Sequence, residues 1–397
     1  MLQHSARRQP SFQILFRETP MSQETRFTLH AEQALLDRIA RQVAEYEWPK
    51  TPAGAGWEMG VDPATLKYVA ERWTHGFDWR VQEARLNELS HFKARVGAVD
   101  LHYVRIDATG PRTGVPVVLM HGWPGCFLEY IEVGRELARR GFDAVLVSLP
   151  GVGFSSAPDQ VLGPRGVAAL VHELMTRVLG HERYVAHGAD WGSIIAGWLG
   201  FDHGQHCIGT HMTMASPKFV AGAASTEQEQ QWLAGFRERF EDDGAYFRLQ
   251  TSRPLTAGFA LSNNPVGLLA WMLEKFAAWG DPAEGQKSAV YQTPERADRV
   301  LRNVMLYLVT NSVATSMWIY RGITTEGPPG YPGGKRVETP TAFAATRDPI
   351  FVPPPRSLVD KVYRVVRWTE FSAGGHFPGY DVPDALAADI AEFSANL

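Results

Sequence analysis

The stretch Val185–Ile195 reads VAHGADWGSII, and its core, Gly188-Ala189-Asp190-Trp191-Gly192, has the glycine, x, nucleophile, x, glycine spacing of an elbow. Such an elbow joins a strand to a helix through a turn so sharp that the central side chain stands clear of both. The preceding RYVA supplies a strand, and Ile194, Ile195, Trp198 and Leu199 form the apolar stripe of a following helix. Gly188 and Gly192 are small where strand and helix must approach closely. The commonest central residue is serine, yet here it is Asp190. Taken alone, the pattern arises by chance, and Asp190 reads as an ordinary helix N-cap. The surrounding chain decides between the two.

Outward from the elbow the strand-and-turn grammar repeats. VPVVLM (from Val115) is an apolar run ending in HGWPG (His121–Gly125), and AVLVSL (from Ala144) is another, ending in PGVGFSS. Helix-like segments, Ile131–Arg140 and Val167–Leu179, lie between the runs. Strands alternating with helices predict a mostly parallel, doubly wound sheet. From Ser216 to about Glu338 the strands stop. EQEQQWLAGFRERF, VGLLAWMLEKFAAW and RVLRNVMLYLVTNSVATSMWIY read as helices of an inserted lid. Strands return with TAFAAT (Thr341–Thr346) and YRVVRW (Tyr363–Trp368). Residues 31 to about 100 read as helical and connective: Leu35, Leu36, Ile39 and Val43 share one helical face, and Asp62-Pro63 opens a capped helix.

Composition narrows the class of protein. At 397 residues, 45% hydrophobic and 21% charged, the chain is an ordinary globular protein with room for a large core and a second domain. A net charge of −4 gives no basic field for nucleic acid or an anionic membrane. Cys126 and Cys207 have neither disulfide-framework nor metal-ligand spacing, which fits a reducing cytoplasm. No metal and no cofactor is expected. No apolar run is long enough to span a bilayer, so no stable membrane anchor is expected either. The opening twenty residues are arginine-bearing and poor in acids, like a transit peptide; the reading preferred is a disordered leader, with Met21 as an alternative start.

A nucleophile at an elbow needs a histidine, and the histidine an orienting acid, each after a later strand in the order nucleophile, acid, base. His376, in the glycine-rich turn SAGGHFP, is the histidine of the 13 that follows the acid in that order. His121 and His187 also lie at strand ends, where each can be a structural hydrogen-bond donor. Asp348, in Arg347-Asp348-Pro349 past TAFAAT, is the acid, with Asp360, Glu370 and Glu338 as fallbacks; an Asp-Pro there is otherwise a turn. HGWPG can present backbone N–H groups, so Trp123 and Trp191 are the expected oxyanion-hole donors.

The aspartate then sets the chemistry. Serine opening an epoxide would leave an ether, whereas a carboxylate leaves an ester that water can cleave. Asp190 is ionised at neutral pH and needs no activating base, so His376 is required only for the hydrolytic half. The substrate is therefore an alkylating electrophile. An epoxide oxygen leaves as an alkoxide and needs an acid, for which lid tyrosines are suited; Tyr246, Tyr291, Tyr307 and Tyr320 all qualify, and the residues alone do not select a pair. A halide would instead need apolar or N–H contacts.

Together these residues resemble the microsomal-type epoxide hydrolases, the branch with an extra N-terminal domain. The resemblance spans roughly residues 27 to 390 and rests on YEWP, GFDWRVQEARLNELSHF, HGWPG, GADWG, LSNNPVGLLAWMLEKFAAW and GGHF. It implies Asp190 as nucleophile, His376 as water-activating base and Asp348 as its partner. Tyr246, before the segment QTSRP, and Tyr320, near the end of the long lid helix, would hold the epoxide oxygen. Ala189 replaces the family's usual second glycine, and FAATRDPIFVPP departs from its F-P-x-(D/E) form.

The expected architecture is an α/β-hydrolase fold with a mostly parallel sheet, a helical lid insertion and an N-terminal helical and meander extension. Its divisions are a leader (1–26), an N-terminal epoxide-hydrolase-type domain (27–112), the core's first part (113–215), the lid (216–338) and the core's second part (339–397). The expected partner is a small-molecule epoxide, not nucleic acid, with a homodimer left open. A haloalkane dehalogenase-like hydrolase and a catalytically silent binding scaffold are the competing readings. An esterase acting through Ser155 or Ser193 is disfavoured, since neither serine is at an elbow centre.

Overall fold

Val117–Met120 and Ala144–Val147, the two apolar runs before the elbow, form adjacent parallel strands with every residue buried. They belong to a nine-stranded sheet in a computed structural model that describes residues 24–397. The strands are β1 (Thr25–Arg26), β2 (Ser90–Val96), β3 (Val99–Ile106), β4 (Val117–Met120), β5 (Ala144–Val147), β6 (Tyr184–Gly188), β7 (Cys207–Met212), β8 (Val337–Ala345) and β9 (Tyr363–Glu370). Their spatial order is β1-β2-β3-β5-β4-β6-β7-β8-β9. From β5 to β9 all pairs are parallel, and β1, β2 and β3 extend the sheet antiparallel.

The chain order reverses at β4, with β5 on one side and β6 on the other. Such a switch point opens a crevice beyond the carboxyl ends of the strands. Met120 pairs with Gly188 across β4 and β6, so the turn after each strand emerges at the same level. That register brings HGWPG beside the Asp190 elbow.

The leading segment corrects one expectation. Amphipathic helices are present at Gln33–Ala44, where Ile39 and Val43 are buried, and at Pro63–His75, capped by Asp62 through the Thr65 N–H at 2.9 Å. The stretch from Ser90 is instead a hairpin, with Val96 opposite Val99 across a two-residue turn. Gly97, at φ 56°, supplies the left-handed turn conformation that a β-carbon would resist. Thr25–Arg26, assigned with the leader, pairs with β2; residues 1–23 of that leader lie outside the described residues.

Between β7 and β8 the chain is helical, and β8 begins at Val337, inside the stretch assigned to the lid. The expected long lid helix is broken. Pro294–Val309 ends at Thr310, and Tyr320 belongs to a separate short helix, Trp318–Ile323. Asn311 takes φ 53°, while the Ser312 N–H reaches the Tyr307 carbonyl at 2.9 Å and the Asn311 N–H reaches Leu308 at 3.2 Å. These are the two bonds of a Schellman stop. Among the described residues no helix is long and apolar enough to cross a membrane.

Candidate active site

Asp190 occupies the elbow with φ 50°, a conformation that strains any residue with a β-carbon. Packing holds it there. A β-carbon on Gly192 would come within 1.9 Å of the Met120 carbonyl oxygen, and one on Gly122 within 2.1 Å of Asp190 Oδ1. The Ser193 hydroxyl, one turn on, donates to the Gly188 carbonyl at 2.6 Å and accepts the Met214 N–H at 3.2 Å, tying helix to strand. Ser155 is likewise bonded to backbone, through the Ser148 carbonyl at 2.7 Å.

The structure brings three dispersed residues together. His376 Nδ1 lies 2.7 Å from Asp348 Oδ2, and Nε2 faces Asp190 Oδ2 at 3.4 Å without a hydrogen bond to it. Asp348 is fixed by the Ile350 and Phe351 N–H groups, each 2.9 Å from Oδ1. The His376 N–H donates to the Trp279 carbonyl at 2.8 Å, anchoring the glycine-rich turn to the lid. Burial disfavours the imidazolium, but Asp348 and Asp190 outweigh it and the His376 pKa is raised. Of the fallback acids, Asp360 pairs with Arg336 and Arg356 at the surface, and Glu338 and Glu370 are exposed. His121 is occupied by the Gly122 carbonyl and the Leu149 N–H, and His187 by His211.

Of the expected oxyanion donors, the Trp123 N–H reaches Asp190 Oδ1 at 2.9 Å, and the Trp191 N–H makes no bond to it. The Trp123 loop is secured from the lid. Asn303 Nδ2 donates to the Pro124 carbonyl at 2.6 Å and the Tyr307 hydroxyl to the Gly125 carbonyl at 2.7 Å. Neither role could be read from sequence, because it depends on how the lid folds back. Tyr307 is thereby removed from the list of acids, as is Tyr291, whose hydroxyl donates to the Phe276 carbonyl at 2.5 Å.

Tyr246 and Tyr320 make no such bond, and both line a cavity of about 320 Å³ that Asp190 also lines. The Trp123 ring stacks on Tyr246, with centroids 5.4 Å apart, and meets Tyr320 edge-on at 5.9 Å. Burial, and then the Asp190 charge, raise the Tyr246 pKa; burial, Tyr246 and Asp190 raise that of Tyr320. Both are therefore neutral phenols with protons to donate. Phe236, Phe240, Phe247 and Phe351 wall the cavity. Sequence reading missed them, since aromatic residues on an amphipathic helix look the same in any core.

A mostly parallel sheet with an acidic residue at the nucleophile elbow and a histidine–aspartate pair beside it defines an α/β hydrolase. Residues 115–378 match the alpha/beta hydrolase fold family, and residues 24–130 match the family described as epoxide hydrolase N terminus. Juvenile hormone epoxide hydrolase 2 of Ctenocephalides felis is 30% identical over 401 residues, covering 93% of this chain and 84% of its own. Epoxide hydrolase 1 of Sus scrofa is 29% identical over 369 residues, covering 85% and 81%. A directed-evolution, enantioselective mutant of the Aspergillus niger epoxide hydrolase superposes with a TM-score of 0.81 at 27% identity, covering 96% of this chain and 98% of that one. The chain belongs to the epoxide hydrolase family.

Proposed function

We propose that this enzyme converts an epoxide and water to a vicinal diol through a covalent ester on Asp190. Asp190 Oδ2 attacks a ring carbon and the carbon–oxygen bond breaks. The ring oxygen takes a proton from Tyr246 or Tyr320, which line the same cavity as the carboxylate. Oδ1, bonded to the Trp123 N–H, becomes the ester carbonyl oxygen.

In the second half His376 Nε2 takes a proton from water, and the hydroxide adds to Cγ of Asp190. The negative charge gathers on Oδ1, where the Trp123 N–H already donates, and the Trp191 N–H, unbonded to that oxygen in the resting site, is the second donor the reading calls on as charge develops. Collapse expels the second diol oxygen, which takes the remaining water proton and leaves Asp190 ionised. The His376 proton returns to the tyrosinate. Asp348 keeps the imidazole oriented throughout.

One observation carries this reading: Asp190 has one oxygen on a backbone donor and the other facing His376, and it shares a cavity with two tyrosines whose hydroxyls are not taken by backbone carbonyls. The decisive experiment is a single turnover in heavy-oxygen water with enzyme in excess. The label should enter Asp190 and stay out of the diol; label in the diol would mean direct attack by water.

The reading takes the enzyme to act in the cytoplasm, supported by two buried, unpaired thiols, Cys126 and Cys207. A homodimer is the assembly it carries, supported by the exposed Leu255 and Phe259 on the lid helix Pro254–Ser262, with sedimentation velocity as the measurement.

A further inference from the structure

The cavity above Asp190 is walled mainly by apolar and aromatic side chains, and apart from Asp190 itself one charged group lines it. Lys218, on the short helix Pro217–Val220 after β7, lines it together with Ser216, Ile323 and Thr324. The Lys218 ammonium donates to the Ile323 carbonyl, at the end of the helix that carries Tyr320. An ammonium has three donors, and that carbonyl satisfies one. No carboxylate of the described residues reaches ion-pair distance of it: Glu326 bears on it only through space, its own oxygens taken by the Arg165 and Gly166 N–H groups at 2.9 Å. The Ser216 hydroxyl makes no hydrogen bond among the described residues.

A half-buried cation with no carboxylate at contact distance, on a largely aromatic cavity that also holds an unbonded hydroxyl, is costly unless something completes it. A fully apolar substrate would leave both groups unsatisfied. We infer that the substrate is an apolar epoxide carrying a carboxylate remote from the ring, which Lys218 and Ser216 bind while the epoxide lies between Asp190 and the two tyrosines. The phenylalanine walls would take an alkyl or aryl spacer. This inference rests on the epoxide-hydrolysis reading and adds the chemistry of the distal end. It makes Lys218 a specificity residue, outside the bond-breaking steps.

The test uses ω-epoxy alkanoates of increasing chain length, their methyl esters and the matching epoxyalkanes, with diol formation as readout. At the length that spans the cavity, the acid should exceed its ester in kcat/KM by about tenfold, the worth of one charge-assisted hydrogen bond, and the difference should lie in KM. The ratio is read within each protein, so any general loss of activity in a variant cancels. K218M should bring the ratio to about one, K218R should keep most of it, and K218E should invert it. Equal rates for acid and ester at every length, or a preference that survives K218M, would overturn the inference while leaving hydrolysis of the epoxyalkanes intact. No diol from any epoxide would instead remove the underlying reading, and this inference with it.

Discussion

The backbone N–H of Trp123 donates to Oδ1 of Asp190 at 2.9 Å, which leaves Oδ2 facing His376 Nε2 at 3.4 Å. On the proposed mechanism one carboxylate is thus divided into an oxygen that carries charge and an oxygen that attacks. In Asp190→Asn the amide oxygen can keep the Trp123 bond, but a weakly nucleophilic NH₂ takes the attacking place. Diol formation should fall by more than about 10³-fold with the fold unchanged. Appreciable turnover by the purified variant, with deamidation excluded by mass spectrometry, would end the nucleophile assignment.

The raised pKa of His376 gives the second prediction. In the free enzyme the Asp348 and Asp190 carboxylates favour imidazolium over the opposing effect of burial. On the proposed mechanism esterification would remove the Asp190 charge, so the imidazole pKa would drop and Nε2 would become a base for the hydrolytic half. His376→Gln should therefore accumulate about one adduct per active site and release little diol. In the wild-type enzyme, decay of the isolated adduct should slow as pH falls through the ordinary imidazole range. An unmodified intact mass of the variant after exposure to epoxide would refute the two-step scheme.

Sequence carried the strand-end chemistry well and the lid poorly. Asp190 and Asp348 were legible because each follows an apolar run that folds as a buried strand. His376 was legible because it follows the alternating, half-exposed strand YRVVRW in a glycine-rich turn, and the three stand in the chain order such a site requires. The choice of Tyr246 and Tyr320 over Tyr291 and Tyr307 came from resemblance, since all four lie in helical sequence. Their difference is tertiary: two hydroxyls find backbone carbonyls and two find the cavity. The hairpin of β2 and β3 was hidden by charged residues on its outer face, Lys93, Arg95 and Asp100. The break before Tyr320 was hidden because an asparagine, not a glycine, ends the helix.

The tyrosines should act as a pair. Losing one O–H donor should lower the single-turnover alkylation rate by on the order of 10²-fold, and Tyr246→Phe with Tyr320→Phe should fall much further. The Trp123 ring packs against both, so phenylalanine at either site keeps the wall intact. Alkylation is the step to follow, because steady-state rates can report hydrolysis instead. A double variant that alkylates at the wild-type rate would reduce both tyrosines to packing. It would also return halide displacement to contention, with halide release from haloalkanes as its assay.

Stability should peak near neutral pH, because buried groups act on it from both sides. Burial brings His121 down to about 4, against the pull of the Gly122 carbonyl and Asp190. An unfolded chain binds that proton near pH 6.5, so the stabilisation is present above that value and is lost as pH falls toward 4, on the order of 3 kcal/mol in full. Burial lowers His91, His102, His172, His181, His187 and His203 in the same direction. Two groups near the site work oppositely. Burial raises the Glu129 carboxyl to about 8, so its contribution is lost as pH rises from the ordinary carboxyl range through 8. The His376 contribution is full below about 6.5 and is lost as pH rises toward its raised folded value. The histidines outnumber Glu129 on the acid side, while Glu129 and His376 shape the alkaline side. Urea midpoints taken between about pH 5 and 9 should therefore rise and then fall. Glu129→Gln, which keeps the shape and cannot ionise, should flatten the alkaline fall, and His121→Asn should soften the acid one. A midpoint that climbs steadily to pH 9 in the wild type would show that neither buried group titrates as the packing around it requires.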